Sequence, residues 1–315
     1  MPYRLQDRET VSEGLRRCAR EQLDTAIDEL THGVSRDPVK AVHSARKALK
    51  KERSLLRLAR GSLDASQRRK QNDAVRQIGR SLGDIRDRDV LVQTFDELAG
   101  RFTGQVPQAT FAAIRESLAG SGAEPPIDRS APISLALEEL RSAEQRVDRW
   151  RFEKGGWRAI RGGLIRAYRS GRKALAVARS QPSPENIHEW RKRAKDLWYQ
   201  LRLLRPVAPD MLRGQADEAH RLSDLLGDDH DLSVLQETLH DTSPEVAADV
   251  DAVLGLIEFR RRELQVEAFF LGERVYAESP NAFARRMRRY WKAWRSETRS
   301  AHSLPPAELA QLSRG

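Results

Sequence analysis

The sequence contains a single cysteine, Cys18, and few aromatic residues. One cysteine excludes a disulfide framework within the chain, which is typical of proteins from a reducing compartment. Aromatic residues make up 6% of the chain and β-branched runs are scarce, whereas Ala, Leu, Arg and Glu are abundant. This composition favours an all-α protein.

Long apolar runs are missing as well. No stretch approaches the ~18–20 apolar residues that a membrane span requires, and the first residues lack the apolar core of a signal peptide. We therefore expect a cytoplasmic protein with no membrane partner. The sequence also lacks a Gly-rich phosphate loop, a His-Glu-x-x-His motif and cysteine clusters, so we assign no catalytic residue, no metal ligand and no cofactor.

Positive charge is in excess along the chain. The sequence has 56 Lys and Arg residues against 46 Asp and Glu residues, for a net charge of +10. Such an excess does not define a fold, but it indicates an anionic partner. Nucleic acid, inorganic polyphosphate and an acidic surface are the candidate classes.

One motif, apolar-His-x-x-Arg-Lys-x-x-Lys, occurs twice, at residues 42–50 and 187–195. The two copies lie 145 positions apart, and both continue into an apolar stretch with a further arginine. A Leu-Gly-Asp sequence at residues 82–84 recurs 144 positions later at residues 226–228. A repeat of this length indicates a duplicated helical domain rather than a solenoid of short units.

Each half has amphipathic patterning for about four helices, which predicts two helical bundles. A segment rich in Gly, Pro and Ser separates the halves. We therefore predict a first bundle over residues 1–120, a linker at 121–134, a second bundle over 135–303 and a flexible tail at 304–315.

Several helix ends can be read from capping residues. Asp37-Pro38 and Ser183-Pro184 are each an N-cap followed by proline at the first helical position. The spacing predicts another helix over about residues 65–81. In the second half it predicts a helix that ends near Leu226, with Gly227-Asp228 forming a turn like that in the first half.

The first motif places its cations on one face of a helix of 3.6 residues per turn. This α2 cation row, named for the second predicted helix, consists of His43, Arg46, Lys47, Lys50, Arg53 and Arg57. Apolar residues fall on the opposite face, namely Val42, Ala45, Leu49 and Leu56.

The second motif repeats this division. Its apolar residues follow steps of three and four, from Ile187 through Trp190 and Ala194 to Leu204, which predicts a core-facing seam. A second row of cations lies away from that seam. It is named the α8 cation row, for the helix α8 that begins at Pro184, and consists of His188, Arg191, Lys192, Lys195 and Arg202.

A solvated helix face normally alternates the sign of its charges. Here Arg46 and Lys50, and Lys47 and Lys51, are like-charged pairs at i,i+4, and each such pair costs ~0.2–0.5 kcal/mol in an isolated helix. The same unfavourable arrangement appears in both halves. We therefore interpret the rows, which extend for ~21 Å, as binding surfaces for a polyanion.

The two motif histidines allow two interpretations. Each lies within the first two turns of its predicted helix, where unpaired amides and the helix dipole favour anions. Each could donate a hydrogen bond to a phosphate oxygen, with a pKa that rises on binding. Alternatively, each could be a partly buried histidine bonded to an aspartate of a neighbouring helix.

Further cations could widen the site. Arg17 and Arg20 follow a Gly-Leu pair, as do Arg166 and Arg169 in the second half, where Arg172 and Lys173 extend the set. Near the C-terminus, five basic residues between Arg285 and Lys292 interleave with Tyr290, Trp291 and Trp294. These aromatic residues could stack on bases, attach to a membrane surface or, as is more common, pack in the core.

Acidic residues cluster near both Leu-Gly-Asp sequences, at Asp84, Asp87 and Asp89 and at Asp228, Asp229 and Asp231. They could bind a divalent metal, but salt bridges to the basic helices or helix capping are the more common roles. His230-Asp231, with His220 upstream, is a weak signal for a metal-dependent phosphohydrolase, because the first half has arginine at both histidine positions.

With its two His-x-x-Arg-Lys-x-x-Lys helices and two Leu-Gly-Asp sequences, the chain resembles the CHAD family over nearly its whole length. The resemblance implies two four-helix bundles with long antiparallel helices, related by a pseudo-twofold axis, with basic residues lining a groove. It also implies binding of inorganic polyphosphate and association with polyphosphate granules.

The second motif departs from the first in two places. Asp196 stands at the position of Lys51, and Trp198 at the position of Arg53, so the second row carries fewer cations. CHAD domains can be fused to a triphosphate-tunnel catalytic domain, but the Glu-x-Glu-x-Lys signature of that domain is absent here.

From these observations we expect a non-enzymatic polyphosphate-binding protein at polyphosphate granules. Its other expected partners are granule-associated proteins and, as a weaker competitor for the groove, nucleic acid. The alternatives are a nucleic-acid-binding helical protein, against which the low aromatic content counts, a metal-dependent phosphohydrolase, and a scaffold on another kind of storage granule.

Overall fold

The computed structural model describes residues 3–83, 87–119, 130–240 and 247–303. Among the predictions, Asp84, most of the linker and the tail at 304–315 lie outside these residues, as do the side chains of Asp87 and Asp89. Within the described ranges the chain forms helices and no strand, which confirms the all-α prediction.

Eleven α-helices cover the described residues. In chain order they are α1 (Val11–Asp28), α2 (Pro38–Leu58), α3 (Ala65–Ser81), α4 (Asp87–Arg101), α5 (Gln108–Ala119), α6 (Ser130–Val147), α7 (Trp157–Ser180), α8 (Pro184–Leu204), α9 (Pro209–His240), α10 (Ala247–Val275) and α11 (Pro280–Ser303). A π-helical turn, Glu29–Gly33, follows α1, and a 3-10 turn, Arg205–Val207, follows α8.

The predicted helix starts are confirmed. The Asp37 side chain accepts a hydrogen bond from the amide of Lys40, with Pro38 at the first position of α2. The Ser183 hydroxyl does the same for the amide of Asn186 at the start of α8. Because these caps satisfy amides that a helix leaves unpaired, both long helices begin where the sequence indicates.

The predicted turn at Gly227-Asp228 is wrong, because α9 continues through it to His240. Glycine inside a helix costs ~1 kcal/mol relative to alanine. Leu226, Leu232 and Leu235, which flank this point, are all buried, and their burial offsets that cost. In the first half the corresponding point does separate two helices, α3 and α4.

Two sets of four helices pack in closed rings. In the first, α2 and α6 each pack against both α1 and α3. In the second, α7 and α9 each pack against both α8 and α10. The two rings meet where α2 contacts α7 and α8. The pseudo-twofold relation between the rings stays a prediction.

The packing differs from the predicted division of the chain. Helix α6 begins inside the predicted linker. Its residues 135–147 were predicted to belong to the second bundle, but the helix packs against α1 and α3 of the first. Helices α4 and α5 belong to the first half in sequence but bury Phe95 and Ile114 in a core shared with α9 and α10. Sequence proximity did not reveal these pairings, because any helix with an apolar face can bury it against another.

The predicted core faces of the two motif helices are confirmed. Val42, Ala45, Leu49 and Leu56 of α2 are all buried. The apolar seam of α8 is also fully buried, from Ile187 to Leu204. Trp291 and Trp294 of α11 pack in the same core, which confirms the packing interpretation for these two residues. Within the described part of the chain, no helix is apolar enough over a sufficient length to cross a membrane.

Candidate polyanion-binding site

The α2 cation row lies on the side of its helix that faces away from the core. The side chains of His43, Lys47 and Lys50 are exposed. Arg46, Arg53 and Arg57 are partly buried. On α8, Lys192 is exposed, whereas the other members of the α8 cation row are partly buried. Both rows therefore border solvent.

The C-terminal end of α2 touches the middle of α8. The hydroxyl of Ser54 donates a hydrogen bond to the backbone carbonyl of Asp196 (3.1 Å), and Nη1 of Arg57 lies 2.7 Å from Oδ1 of Asp196. Tyr3, from the N-terminal segment, lies beside this contact, with its ring 6.5 Å from that of Tyr199. The contact brings the two cation rows close together.

The clearest sign of convergence comes from two lysines. The pKa of Lys51 is lowered to about 8, by burial first and then by the charges of Arg202 and Lys47. The pKa of Lys195 is also lowered to about 8, by burial first and then by Arg191, with Lys47 adding to the effect and Asp224 opposing it. Each lysine thus interacts with a cation from the other motif helix, and we name Lys47, Lys51, Lys195 and Arg202 the lysine cluster.

Trp198 forms an aromatic wall beside the lysine cluster. Nζ of Lys195 lies 6.0 Å from the centre of the Trp198 ring system, and Cζ of Arg202 lies 5.4 Å from it. The His220 ring packs against the same indole at 3.8 Å between centroids. An indole face attracts cations, so Trp198 positions Lys195 and Arg202 instead of adding a charge.

The arrangement is different around Asp196, the repeat counterpart of Lys51. Its side chain is buried and forms ion pairs with Arg57 and with Arg193 of its own helix. The nearby Arg53 is crowded by cations. Its pKa is lowered to about 10, by burial first and then by Arg57, with Arg76 and Arg80 of α3 adding to the effect. One end of the α2–α8 contact is therefore partly neutralised by a carboxylate, while at the other end Lys51 and Arg202 add positive charge.

His188 is placed against another histidine. Its ring lies 4.1 Å from that of His230 on α9, and its Nδ1 has no hydrogen-bond partner among the described residues. The pKa of His188 is lowered to about 4, by burial first and then by His230. The pKa of His230 is also lowered to about 4, by burial first and then by the charge of Arg191. Both rings are therefore neutral near pH 7, and the structure gives His188 no aspartate partner.

The Leu-Gly-Asp sequences make room for the motif arginines. A Cβ atom added at Gly83 would lie 3.0 Å from Nη1 of Arg46, which donates a hydrogen bond to the carbonyl of Leu82 at 3.1 Å. A Cβ atom added at Gly227 would lie 3.2 Å from Nη2 of Arg191. The two halves thus share a packing arrangement, which explains why the glycine recurs with the basic motif.

Three of the additional predicted cations are held by local contacts. Arg17 pairs with Glu9 and Glu21 and donates to the carbonyl of Arg4. Arg20 pairs with Asp148, and Arg172 donates to the backbone carbonyl of Glu278. Arg166, Arg169 and Lys173 are exposed on α7. No contact connects Arg17 or Arg20 with the lysine cluster.

The acidic residues of α9 serve several neighbours. Asp229 is buried and accepts hydrogen bonds from Arg261 and Gln265, and Asp231 lies 3.8 Å from Arg191. The pKa of Asp228 is raised to about 6, by burial first and then by Asp231 and other nearby carboxylates. Across the described ranges, no three His, Cys, Asp or Glu side chains are grouped so that they could hold a metal ion.

The sequence pointed weakly to a phosphohydrolase through the pair His230-Asp231 with His220 upstream, but the structure gives the two histidines different neighbours. His220 lies against Trp198 and within 3.4 Å of Asp224, whereas His230 lies against His188. A cavity of about 540 Å³ lies elsewhere, between α1 and α6, and none of the predicted site residues lines it.

Sequence reasoning missed several residues that the fold brings to the two rows. Lys51 appeared only as a repelling neighbour of Lys47, and Trp198 only as a departure from the motif. Arg76 and Arg80 of α3 come from another helix, and nothing in their local sequence links them to the motif. His220 and His230 of α9 had been noticed only as a weak phosphohydrolase signal. Lys51 alone had a usable signal, because it extends the basic run of α2.

Comparison with known proteins gives one match. The sequence model of the family described as CHAD domain matches residues 17–240. No curated protein matches the chain.

Proposed function

The chain belongs to the CHAD domain family, and from this premise we propose that it binds linear inorganic polyphosphate in a groove between α2 and α8. We further propose that binding involves no chemical change of the ligand and that it recruits the protein to polyphosphate granules in the cytoplasm. Nucleic acid would be a weaker competitor for the same surface.

The lysine cluster is the observation that carries this proposal. The charges that act on Lys51 are all positive. Lys195 is opposed by two cations, Arg191 of its own helix and Lys47 of α2, while Asp224 and Asp231 act in the opposite sense. Holding like charges in a partly buried cluster is unfavourable unless an anion compensates them. A chain with a negative charge on every phosphate supplies that compensation along the full length of the rows.

The side chains around the cluster suit phosphate in different ways. Arg46, Arg191 and Arg202 offer planar guanidinium groups that can bind phosphate oxygens with two hydrogen bonds, whereas the lysines act as mobile point charges. The neutral ring of His188 also borders this surface, but its unpartnered Nδ1 is buried, so this atom is not placed to contact the phosphate chain.

We place no reaction at this surface. The groups that meet there are cations, imidazoles, an indole and the carboxylates of Asp224 and Asp231, and we assign them the binding and orientation of a phosphate chain. The partners of His220 and His230 favour binding over the phosphohydrolase alternative, since the two rings face different neighbours.

The test is a charge reversal at two exposed repeat counterparts, Lys47→Glu with Lys192→Glu. We expect the affinity for long-chain polyphosphate to fall by about tenfold or more at low salt, because two phosphate contacts are replaced by repelling charges. Arg46 and Arg191 are poorer choices, since they also pack against Gly83 and Gly227.

The matched control is Arg285→Glu with Arg289→Glu, which makes the same change in net charge on the exposed face of α11. Calorimetric titration at several salt concentrations measures all three proteins. Equal losses in both variants would contradict the proposed groove.

Competition with RNA and DNA completes the test: if RNA displaces polyphosphate at the lower phosphate concentration, the nucleic-acid alternative is the better one.

A further inference from the structure

Six cations gather at one end of the molecule, beyond the α2 cation row. They are Arg60, Arg68, Arg69, Arg151, Lys154 and Arg166. They come from the turn after α2, the start of α3, the segment before α7 and α7 itself. Five of the six side chains are exposed and Arg68 is partly buried. We name this set the basic pole.

Backbone contacts fix the basic pole in place. Nζ of Lys154 donates to the carbonyl of Gly61 at 2.8 Å. The amide of Arg151 donates to the Gln67 side chain at 2.8 Å, and the amide of Asp64 donates to the carbonyl of Arg151 at 2.9 Å. These bonds hold the segment before α7 against the α2–α3 turn.

Close packing brings α7 to the same place. A Cβ atom added at Gly163 would lie 2.0 Å from the carbonyl oxygen of Leu58, and one at Gly162 would lie 3.6 Å from that of Arg60. Helix α7 therefore crosses the end of α2 with its backbone in contact, and Arg166 lies one turn further along α7. Four separate segments of the chain thus contribute cations to one surface.

The basic pole has little compensating charge. Within the described part of the chain, none of its six members forms an ion pair. The pKa of Arg68 is lowered, by burial first and then by Arg60 and Arg69, with Arg166 adding to the effect and Asp73 opposing it. The carboxylate of Asp64 is engaged in capping α3.

The second half shows that the fold does not require these charges. Arg205 corresponds to Arg60, but the counterpart of Arg68 is the buried Leu212. The counterparts of Arg69 and Arg166 are Arg213 and Arg17, which pair with Asp210 and with Glu9 and Glu21 respectively. Among the described residues, Arg68, Arg69 and Arg166 thus have no ion pair, whereas one of their repeat counterparts carries no charge and the other two are paired.

The basic pole also continues the α2 cation row. Arg53, Arg57 and Arg60 follow one another at steps of four and three residues, and the amide of Arg60 donates to the carbonyl of Arg57 in the turn that ends the helix. At Arg57 the carboxylate of Asp196 lies beneath the surface, with 8% of its side chain exposed against 34% for Arg57. A phosphate chain on this path would meet the guanidinium rather than the carboxylate.

We propose that a polyphosphate chain longer than the groove runs past Arg57 onto the basic pole, which serves as a second binding segment in series with the groove. This inference rests on the proposed function. A second segment at the basic pole would make the site directional, because the repeat counterparts of Arg68, Arg69 and Arg166 are replaced or paired. It would also make affinity increase with chain length after the groove has been filled.

The experiment compares two double variants with the same change in net charge. Arg68→Glu with Arg166→Glu alters the basic pole, and Arg205→Glu with Arg213→Glu alters the corresponding surface of the second half. Affinities are measured for tripolyphosphate and for polyphosphates of increasing length, with circular dichroism to confirm folding. Neutral Arg68→Gln with Arg166→Gln replaces the first variant if the glutamates disturb the fold.

We expect the basic-pole variant to bind tripolyphosphate as the wild type does and to lose the gain in affinity with chain length. For long chains the slope of log affinity against log salt should become shallower by about 0.7 for each lost phosphate contact, if the value for single-stranded nucleic acids applies. The second-half variant should retain the gain with length.

A basic-pole variant with the wild-type length dependence would overturn the inference, and so would equal losses in both variants. These outcomes differ from failure of the proposed function, in which the wild type binds no polyphosphate or the Lys47→Glu, Lys192→Glu variant binds as well as the wild type at every length.

Discussion

At the scale of single residues, one exchange between repeat counterparts sets the polarity of the candidate site. Lys51 adds a cation beside Arg202, whereas Asp196 at the corresponding position is buried against Arg57. A buried carboxylate between arginines fixes their positions but removes charge available to a ligand. The repeat motif is therefore duplicated in sequence but not in electrostatic effect.

The lowered pKa values of the two lysines predict a pH dependence of binding. Lys51 and Lys195 have pKa values of about 8 in the free protein, and a bound polyanion should raise both. Affinity should then be constant below about pH 8 and fall as pH rises through the higher pKa of the bound state, because binding takes up protons. Titrations with polyphosphate at pH 7, 8 and 9 and constant ionic strength measure this.

Lys51→Arg provides the control for this effect. Arginine keeps its charge throughout this pH range, so the variant should lose less affinity than the wild type between pH 8 and pH 9. A wild-type affinity that does not change with pH would show that these two lysines do not meet the ligand.

At the scale of elements, close contacts between helix backbones determine how the two rings of helices join. Gly163 is the position where α7 crosses α2, and an added methyl group would meet the carbonyl of Leu58 at 2.0 Å. Backbone atoms cannot move aside as the end of a flexible side chain can. The sequence contained a hint of this contact in the two Gly-Leu pairs, since Gly14 is also closely packed, against Glu9 and Leu5.

We predict that Gly163→Ala lowers the free energy of unfolding by about 1–3 kcal/mol, the usual cost of overpacking. The adjacent Gly162→Ala is the matched control. Its nearest contact is an ordinary 3.6 Å, and alanine is preferred over glycine in helices by ~1 kcal/mol, so it should be neutral or stabilising. Urea unfolding measures both variants, and equal stability of the two would contradict the assigned contact.

At the scale of the whole molecule, two helices beyond the matched family region complete the cores. Residues 17–240 match the CHAD domain, whereas α10 and α11 follow His240. Helix α10 buries Val253 and Ile257 against α9, and its C-terminal part and α11 contribute Leu271 and Phe283 to the larger core. Their removal would expose apolar surface on both α7 and α9.

We therefore predict that a chain ending at His240 does not unfold cooperatively and aggregates, because the apolar faces left uncovered exceed what a monomeric surface tolerates. Thermal denaturation followed by circular dichroism, together with size-exclusion chromatography, tests this. A chain lacking only residues 304–315, the predicted flexible tail, is the control and should melt as the full chain does. A monomeric, cooperatively folded 1–240 fragment would show that α10 and α11 are accessory.

The sequence by itself determined the helical class, the starts of the two motif helices and the core-facing sides of both. These follow from composition, from capping residues such as Asp37 and Ser183, and from a periodicity of 3.6 residues, all of which act over one or two turns of chain. The family membership also followed from this local information, because the motif and its Leu-Gly-Asp companion recur at nearly constant spacing.

Only the tertiary structure decided which cations meet. Lys51 faces Arg202, Arg17 is held by Glu9 and Glu21, and α6 packs on α1 and α3, although no local pattern distinguishes these outcomes from their alternatives. The free energy of a charge depends on burial and on neighbours that are distant in sequence. A row of lysines and arginines can therefore be read from the chain, but whether each charge is compensated depends on the packed helices around it.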